Sequence, residues 1–255
     1  MINDFLIKKL DLLEEHSLSE GIAKNAFFDL DNTLLVGDIG ELIILAILKE
    51  KLKLEMNWND YQNCIIQFGE PFAYKEIIKA KKGNTIDDLK QLTKTILQDS
   101  NPYHYVESKF SIQKDKPKPN KELKSLIQEL IYRNFNIFVV TAGSHFVAES
   151  IIELWFPEIP NENVYGVKNH IINGLLTDEL EHPYPINEGK GLILEQILNG
   201  QKALITVGDS PNDLYMFGQT HQKGLKLIVD HKANKTFKVL KNIDNLSNIH
   251  FINWG

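Results

Sequence analysis

Four short runs along the chain are apolar without polar alternation: Ala26–Phe28, Ile137–Val140, Ala203–Val207 and Leu225–Val229. They are rich in β-branched and aromatic residues, the pattern of strands buried on both faces of a parallel sheet. Helical periodicity separates them. Leu123, Leu126, Ile127, Leu130 and Ile131 make one stripe, and Leu192, Leu194 and Ile197 part of another, with Asn199-Gly200 as its stop signal. Near the N-terminus, Phe5, Leu6, Leu10 and Leu13 predict an amphipathic helix capped by Asn3. Alternating strands and helices predict an α/β fold, a doubly wound, mostly parallel sheet.

Two stretches depart from that alternation. Residues 37–115 read as mostly helical with no clear buried strand, and close on the lysine- and proline-rich joint Lys114–Pro119. They predict a helical domain inserted into a core of residues 1–36 and 116–255, of which 1–24 form an N-terminal helical extension. The second departure is Val167–Thr177, where Asn173-Gly174 between two apolar runs predicts a β-hairpin.

Composition narrows the classes. The 255 residues carry a formal net charge of −6, and Arg133 is the single arginine. Nucleic-acid binding draws on a surplus of basic side chains, so no nucleic-acid partner is expected. The longest apolar run, Leu42–Leu48, is too short to span a bilayer, and the N-terminus lacks a signal-peptide pattern. With Cys64 as the one cysteine, no internal disulfide forms, and a cytoplasmic protein with no membrane partner is expected. Among apolar neighbours Cys64 reads as a buried small hydrophobe.

The candidate chemistry sits at strand ends, where open α/β sheets hold their ligands. The first run ends in Asp29-Leu30-Asp31-Asn32-Thr33, the second in Thr141-Ala142-Gly143-Ser144, the third in Gly208-Asp209-Ser210-Pro211-Asn212-Asp213; the fourth ends at Asp230. Asp29 and Asp31 can face one site if the chain stays extended between them. Thr141 followed by a tight turn into a helix would make a phosphate cradle from backbone N–H groups. Pro211 suits a helix start. Four converging carboxylates repel one another, and Mg²⁺, which takes oxygen ligands and joins carboxylates to phosphate, would relieve them. Lys190, at the start of the helix before the third strand, could add a further positive charge. No histidine spacing of the zinc type is present.

Asp-Leu-Asp-Asn-Thr at 29–33, Thr141, Lys190 and Gly-Asp-Ser-Pro-Asn-Asp at 208–213, in that order, resemble the haloacid dehalogenase superfamily of phosphohydrolases, in its phosphoserine-phosphatase-like branch. The resemblance covers the chain from about Ala26 onward, and the inserted helical domain resembles that branch's cap. It implies Asp29 as a nucleophile forming an aspartyl-phosphate, with Asp31 as general acid and then base. It implies Mg²⁺ on Asp29, the Asp31 carbonyl and Asp209, with Asp213 in the outer shell or orienting Lys190. Thr141, Lys190 and backbone amides near Gly143 and Ser144 would hold the phosphoryl oxygens, with Asn212 beside the substrate. A carboxylate at Asp31 favours phosphate-ester hydrolysis over dehalogenation; a phosphotransferase or mutase, or a non-catalytic binding module, are the alternatives.

For the substrate, a small phosphorylated metabolite of the phosphoserine, phosphocholine or phosphoethanolamine class is implied. Asp38 stands where the branch carries an acidic residue for a substrate ammonium, and it equally suits a helix cap completed by Glu41. The inserted segment has no arginine for a substrate carboxylate but holds Trp58, Tyr61, Phe68, Phe72, Tyr74, Tyr103 and Tyr105. Those rings suit either a quaternary ammonium or their own packing.

Overall fold

In the computed structural model, which describes residues 4–98, 101–107, 110–229 and 249–252, each of the four apolar runs is a strand. The first is β1 (Asn25–Phe28), with no residue exposed. The chain divides into two compact units, one of Met1–Val36, Pro119–Val140 and Pro185–Gly255, the other of Gly37–Lys118 and Thr141–Tyr184.

The first unit opens with α1 (Asp4–Glu20), which buries Leu6, Leu10, Leu13 and Ser17. Phe5, expected on the buried stripe, is exposed; its ring instead meets the edge of His250. Two-residue strands β2 (Leu35–Val36) and β5 (Lys118–Pro119) flank residues 37–117. After β5, α6 (Lys121–Tyr132) starts where the Asn120 side chain accepts from the N–H groups of Glu122 and Leu123. It buries Leu123, Leu126, Ile127 and Leu130, the spacing of one helical face; Ile131 is half-buried. Strand β6 (Asn136–Ser144) runs beside β1, and α8 (Glu188–Leu198) leads to β10 (Ala203–Gly208) on its other side. Asn199 ends α8 in the left-handed conformation, as its sequence signals. Leu192 is exposed, since the buried face of α8 runs through Ile193, Leu194 and Leu198. Strands β11 (Thr220–Val229) and β12 (Ile249–Ile252) follow, with α9 (Leu214–Gly218) between β10 and β11.

The central sheet is ordered β12-β11-β10-β1-β6-β7, with β7 spanning Val164–Val167. Every pairing from β12 to β6 is parallel. With one crossover after another bringing helices onto its faces, the sheet is the expected α/β architecture. Asn3 and Asp230 lie outside the described residues.

The second unit holds α2 (Gly40–Lys49), α3 (Trp58–Phe68), α4 (Glu70–Lys79) and α5 (Ile86–Gln98). The 37–115 stretch also contains an antiparallel hairpin, β3 (Tyr103–Glu107) with β4 (Phe110–Lys114), where the sequence reading saw no strand. Its signal was a two-residue alternation: Tyr103 and Tyr105 are buried, His104 and Val106 exposed. Cys64 is half-buried, not enclosed.

Helix α7 (His145–Trp155) packs on α5 and is tied to it by ion pairs from Lys90 to Glu149 (2.8 Å) and from Lys94 to Glu153 (2.8 Å). The hairpin β8 (Asn169–Ile172) and β9 (Leu175–Leu180) turns at Asn173-Gly174, both at positive φ, as their sequence predicts. No helix among the described residues is long and apolar enough to cross a membrane.

Candidate active site

Asp29 follows β1 in extended conformation (φ −72°, ψ 163°), and its N–H donates to the Val207 carbonyl of the neighbouring strand at 2.9 Å. The chain does not stay extended between the two carboxylates: Leu30 opens a helical turn that only Asp31 (φ −69°, ψ 136°) and left-handed Asn32 (φ 54°) interrupt, though the Asp31 charge still acts on Asp209. Asp31 is half-buried. The turn buries Thr33, whose hydroxyl has no hydrogen-bond partner among the described residues.

Lys190 lies 161 residues away from Asp29 in the chain and is 1% exposed. Its Nζ donates to Asp29 Oδ1 at 2.5 Å and to Asp213 Oδ1 at 2.6 Å. Burial alone would strip the lysine of its proton, but the two carboxylates outweigh that and hold its ammonium above the ordinary lysine range. Asp213 is completely enclosed. Its second oxygen accepts the N–H groups of Asp209 and Ser210, each at 3.1 Å, and the Ser210 hydroxyl at 3.3 Å. Pro211–Asp213 form a short 3-10 turn with Pro211 at its start, and Ser210 and Asp213 close a capping box around it. Asp213 thus fixes both the lysine and the loop that carries Asp209. Asn212 is half-buried on the same turn.

One further residue makes this packing possible. A Cβ on Gly208 would stand 2.5 Å from Asp213 Cγ and Oδ2, closer than side-chain atoms approach. Gly208→Ala is therefore expected to destabilise the protein by about 1–3 kcal/mol through overpacking. Because the atom displaced is the Asp213 carboxyl, the melting temperature and any turnover should fall together. A variant with both unchanged would show that the carboxyl moves aside freely.

The electrostatics of the cluster are unbalanced. One oxygen from each of Asp29, Asp209 and Asp213 lies within 4.8 Å of the others. Three carboxylates thus face one ammonium. Burial lifts the Asp29 carboxyl to about 6 despite Lys190, and Asp213 adds to the rise. Burial and the charges of Asp29 and Asp213 lift Asp209 well above the usual carboxylate range. Asp213 has both oxygens engaged by protein donors, so Asp29 and Asp209 offer the oxygens left for a cation. A hard divalent ion fits this donor set: it takes carboxylate oxygen and supplies the charge the protein withholds.

The remaining sequence candidates lie in the second unit. Thr141 is buried within β6, and its Oγ1 accepts the Gly143 N–H at 3.0 Å. No tight turn follows it: Gly143 has no positive φ, the strand runs through Ser144, and α7 begins at His145. The joint is closely packed, since a Cβ on Gly166 of β7 would meet His145 Cα at 2.6 Å. Ser144 sits at the N-cap of α7 without a capping bond, and its buried hydroxyl has no partner among the described residues.

Asp38 is accessible to solvent, with Oδ1 accepting the Gly40 N–H at 2.6 Å. Glu41 does not complete a box there but pairs with Lys114. Of the aromatic residues, Trp58, Tyr61, Tyr103 and Tyr105 are buried, Tyr74 is half-buried, and Phe68 and Phe72 are exposed against one another at 5.0 Å.

No curated protein matches the chain in sequence. Among solved structures, a conserved protein of unknown function from Anaerococcus prevotii superposes with a TM-score of 0.67 at 13% identity, covering 91% of this chain and 85% of that one. A phosphoserine phosphatase solved as a phospho-aspartyl intermediate analogue gives 0.55 at 20% identity, over 91% and 93% of the two chains. A phosphoserine phosphatase in apo form gives 0.56 at 18%, over 91% and 94%. These likenesses share the fold. The haloacid dehalogenase-like hydrolase family matches residues 23–219, from the approach to β1 through Asp29, Lys190 and Asp213 to the end of α9, and the chain belongs to that family of hydrolases.

Proposed function

We propose that the protein is a magnesium-dependent phosphatase that hydrolyses a small phosphomonoester through an aspartyl-phosphate on Asp29. The observation that carries this reading is the buried Lys190 bridging Asp29 and Asp213, with Asp209 in the same carboxylate cluster. Family membership and the fold shared with phosphoserine phosphatases support it.

In this reading the Asp29 oxygen not held by Lys190 attacks phosphorus, and the bond from phosphorus to the substrate oxygen breaks. Asp31 gives its proton to the leaving oxygen. Asp31 then takes a proton from water as that water attacks phosphorus, which frees phosphate and restores Asp29. Lys190 holds the nucleophile in place and draws charge from the phosphoryl group. A magnesium ion on Asp29, the Asp31 carbonyl and Asp209 would neutralise charge on the phosphoryl oxygens. Phosphoryl transfer rests mainly on such positioning and charge stabilisation. Thr141, Gly143, Ser144 and Asn212 are proposed to contact the phosphoryl group or the substrate, and residues 37–115 to act as a cap.

An amine-bearing substrate is the finer proposal. Burial and the carboxylates of Asp38, Glu41 and Glu70 raise the Tyr61 hydroxyl above its usual range, so negative charge gathers in this part of the second unit. Phosphate release from p-nitrophenyl phosphate with Mg²⁺ is expected to fall about 100-fold or more in EDTA. Metal-independent release would sink the magnesium assignment. Among phosphocholine, phosphoethanolamine and phosphoserine, at least one should be preferred about tenfold over glycerol phosphate, the worth of one good ionic contact. Equal rates would remove the amine and leave the phosphatase.

A further inference from the structure

A pocket of about 180 Å³ in the first unit is lined by Lys9, Leu12, Leu13 and His16 of α1, by Lys223, Gly224 and Leu225 of β11, and by His250 of β12. Every one of these residues lies outside 23–219, the span shared with the hydrolase family. The pocket forms no part of the carboxylate cluster around Asp29. Its polar side chains are all basic, in a chain of net charge −6.

The arrangement holds its positive charge poorly compensated. Lys9 Nζ has no carboxylate partner among the described residues and rests 5.6 Å from the Phe5 ring centroid. The other face of that contact is His250, whose ring centroid is 5.1 Å from that of Phe5. Lys223 pairs with Glu20, which also lies 3.9 Å from His16. Burial first, and the Lys9 charge second, lower the proton affinity of His250.

Size then selects the ligand. Liquid water occupies about 30 Å³ per molecule, so the pocket holds a small ion with some of its hydration. It falls below the roughly 300 Å³ at which sites for larger organic ligands begin. We infer that the pocket between α1 and the β11–β12 edge binds a small oxyanion, a phosphate or a small carboxylate, held by Lys9 and Lys223.

The imidazole resonances of His250 and His16 test this at fixed pH, with the full chain titrated by sodium phosphate or sodium acetate against sodium chloride at matched ionic strength. Saturating shifts are expected with at least one of the two oxyanions and not with chloride. In the double variant Lys9→Gln, Lys223→Gln the midpoint should rise at least about tenfold, the loss expected for charge-assisted bonds. Hydrolysis should be unchanged in that variant, because neither lysine belongs to the Asp29 cluster. Shifts that grow linearly without saturating, or that match in chloride or in the double variant, would overturn the assignment. Reading local histidines keeps the result separate from any phosphate bound near Asp29.

Discussion

Asp29→Asn is expected to lower kcat by at least about 10⁴-fold, because an amide oxygen does not form an acyl-phosphate and nothing else in the cluster replaces the nucleophile. The substitution is close to isosteric, and the amide oxygen still accepts from Lys190. What changes in the free protein is charge. The Asp29 carboxyl has its proton affinity raised by folding, from the ordinary 3.8 to about 6. A carboxyl raised in this way is more easily protonated folded than unfolded, so it costs stability as pH climbs through that window and the cost is complete above about 6. Asn carries no such charge. In EDTA at pH 7.5 the variant should therefore melt at the wild-type temperature or a few degrees higher, a gain on the order of 1–3 kcal/mol. With Mg²⁺ present the gain should shrink, since wild type alone recovers stability from the cation. Wild-type-like turnover in a correctly folded Asn variant would remove Asp29 from the nucleophile's role.

The pairing of lost activity with retained or increased stability is what distinguishes a functional carboxylate from a structural one. Asp213 provides the contrast. It has no exposed surface and serves four donors, so its removal would leave two amides and a hydroxyl without this acceptor and Lys190 with Asp29 alone. Both residues lie at the same edge of the sheet and carry the same side chain, yet folding strains one and depends on the other.

Much of this was legible in the chain, for identifiable reasons. Ala26–Phe28 and Ala203–Val207 announce themselves because a strand covered on both faces is almost wholly apolar, and the exception, Thr206, shares a hydrogen bond with Thr220. The first polar residue after each run then marks the sheet's edge, which is how Asp29 and Asp209 stand out. Asn199-Gly200 and Asn173-Gly174 were readable because their backbones need positive φ. The hairpin at 103–114 was obscured by its helical surroundings and by its tyrosines, which suit a helix core equally well. The course of the chain after Thr141 was misjudged because Gly143 looks like a turn residue, whereas its φ is not positive and the strand runs on through Ser144. Least readable was what depends on two distant segments meeting. The lysine at 190 suggested a helix-start cation, but nothing local says that it is shared between Asp29 and Asp213. Nor does the helical stripe of α1 reveal that Phe5 turns outward to His250, a residue 245 positions later.

Lys190→Met is expected to cost about 3–5 kcal/mol of stability near pH 7.5, measured by urea unfolding in EDTA, because it leaves two buried carboxylates facing each other without a cation. Methionine fills nearly the same volume, so the loss is electrostatic and not a cavity. Its pH dependence follows from sign. The Asp29 carboxyl is already raised to about 6 with the ammonium present, and losing the ammonium raises it further, so the penalty is largest above that range and shrinks as pH falls toward 5. The double variant Lys190→Met, Asp213→Asn should recover part of the loss, because the second change removes one of the stranded charges; the two substitutions would then combine to less than their sum. Added Mg²⁺ should also narrow the gap, by offering the carboxylates another cation. Activity should fall by at least about 10²-fold even where the fold is rescued, since the nucleophile loses the group that holds it. A Lys190→Met protein as stable as wild type at pH 7.5 would mean that the charge balance assigned to the cluster is wrong.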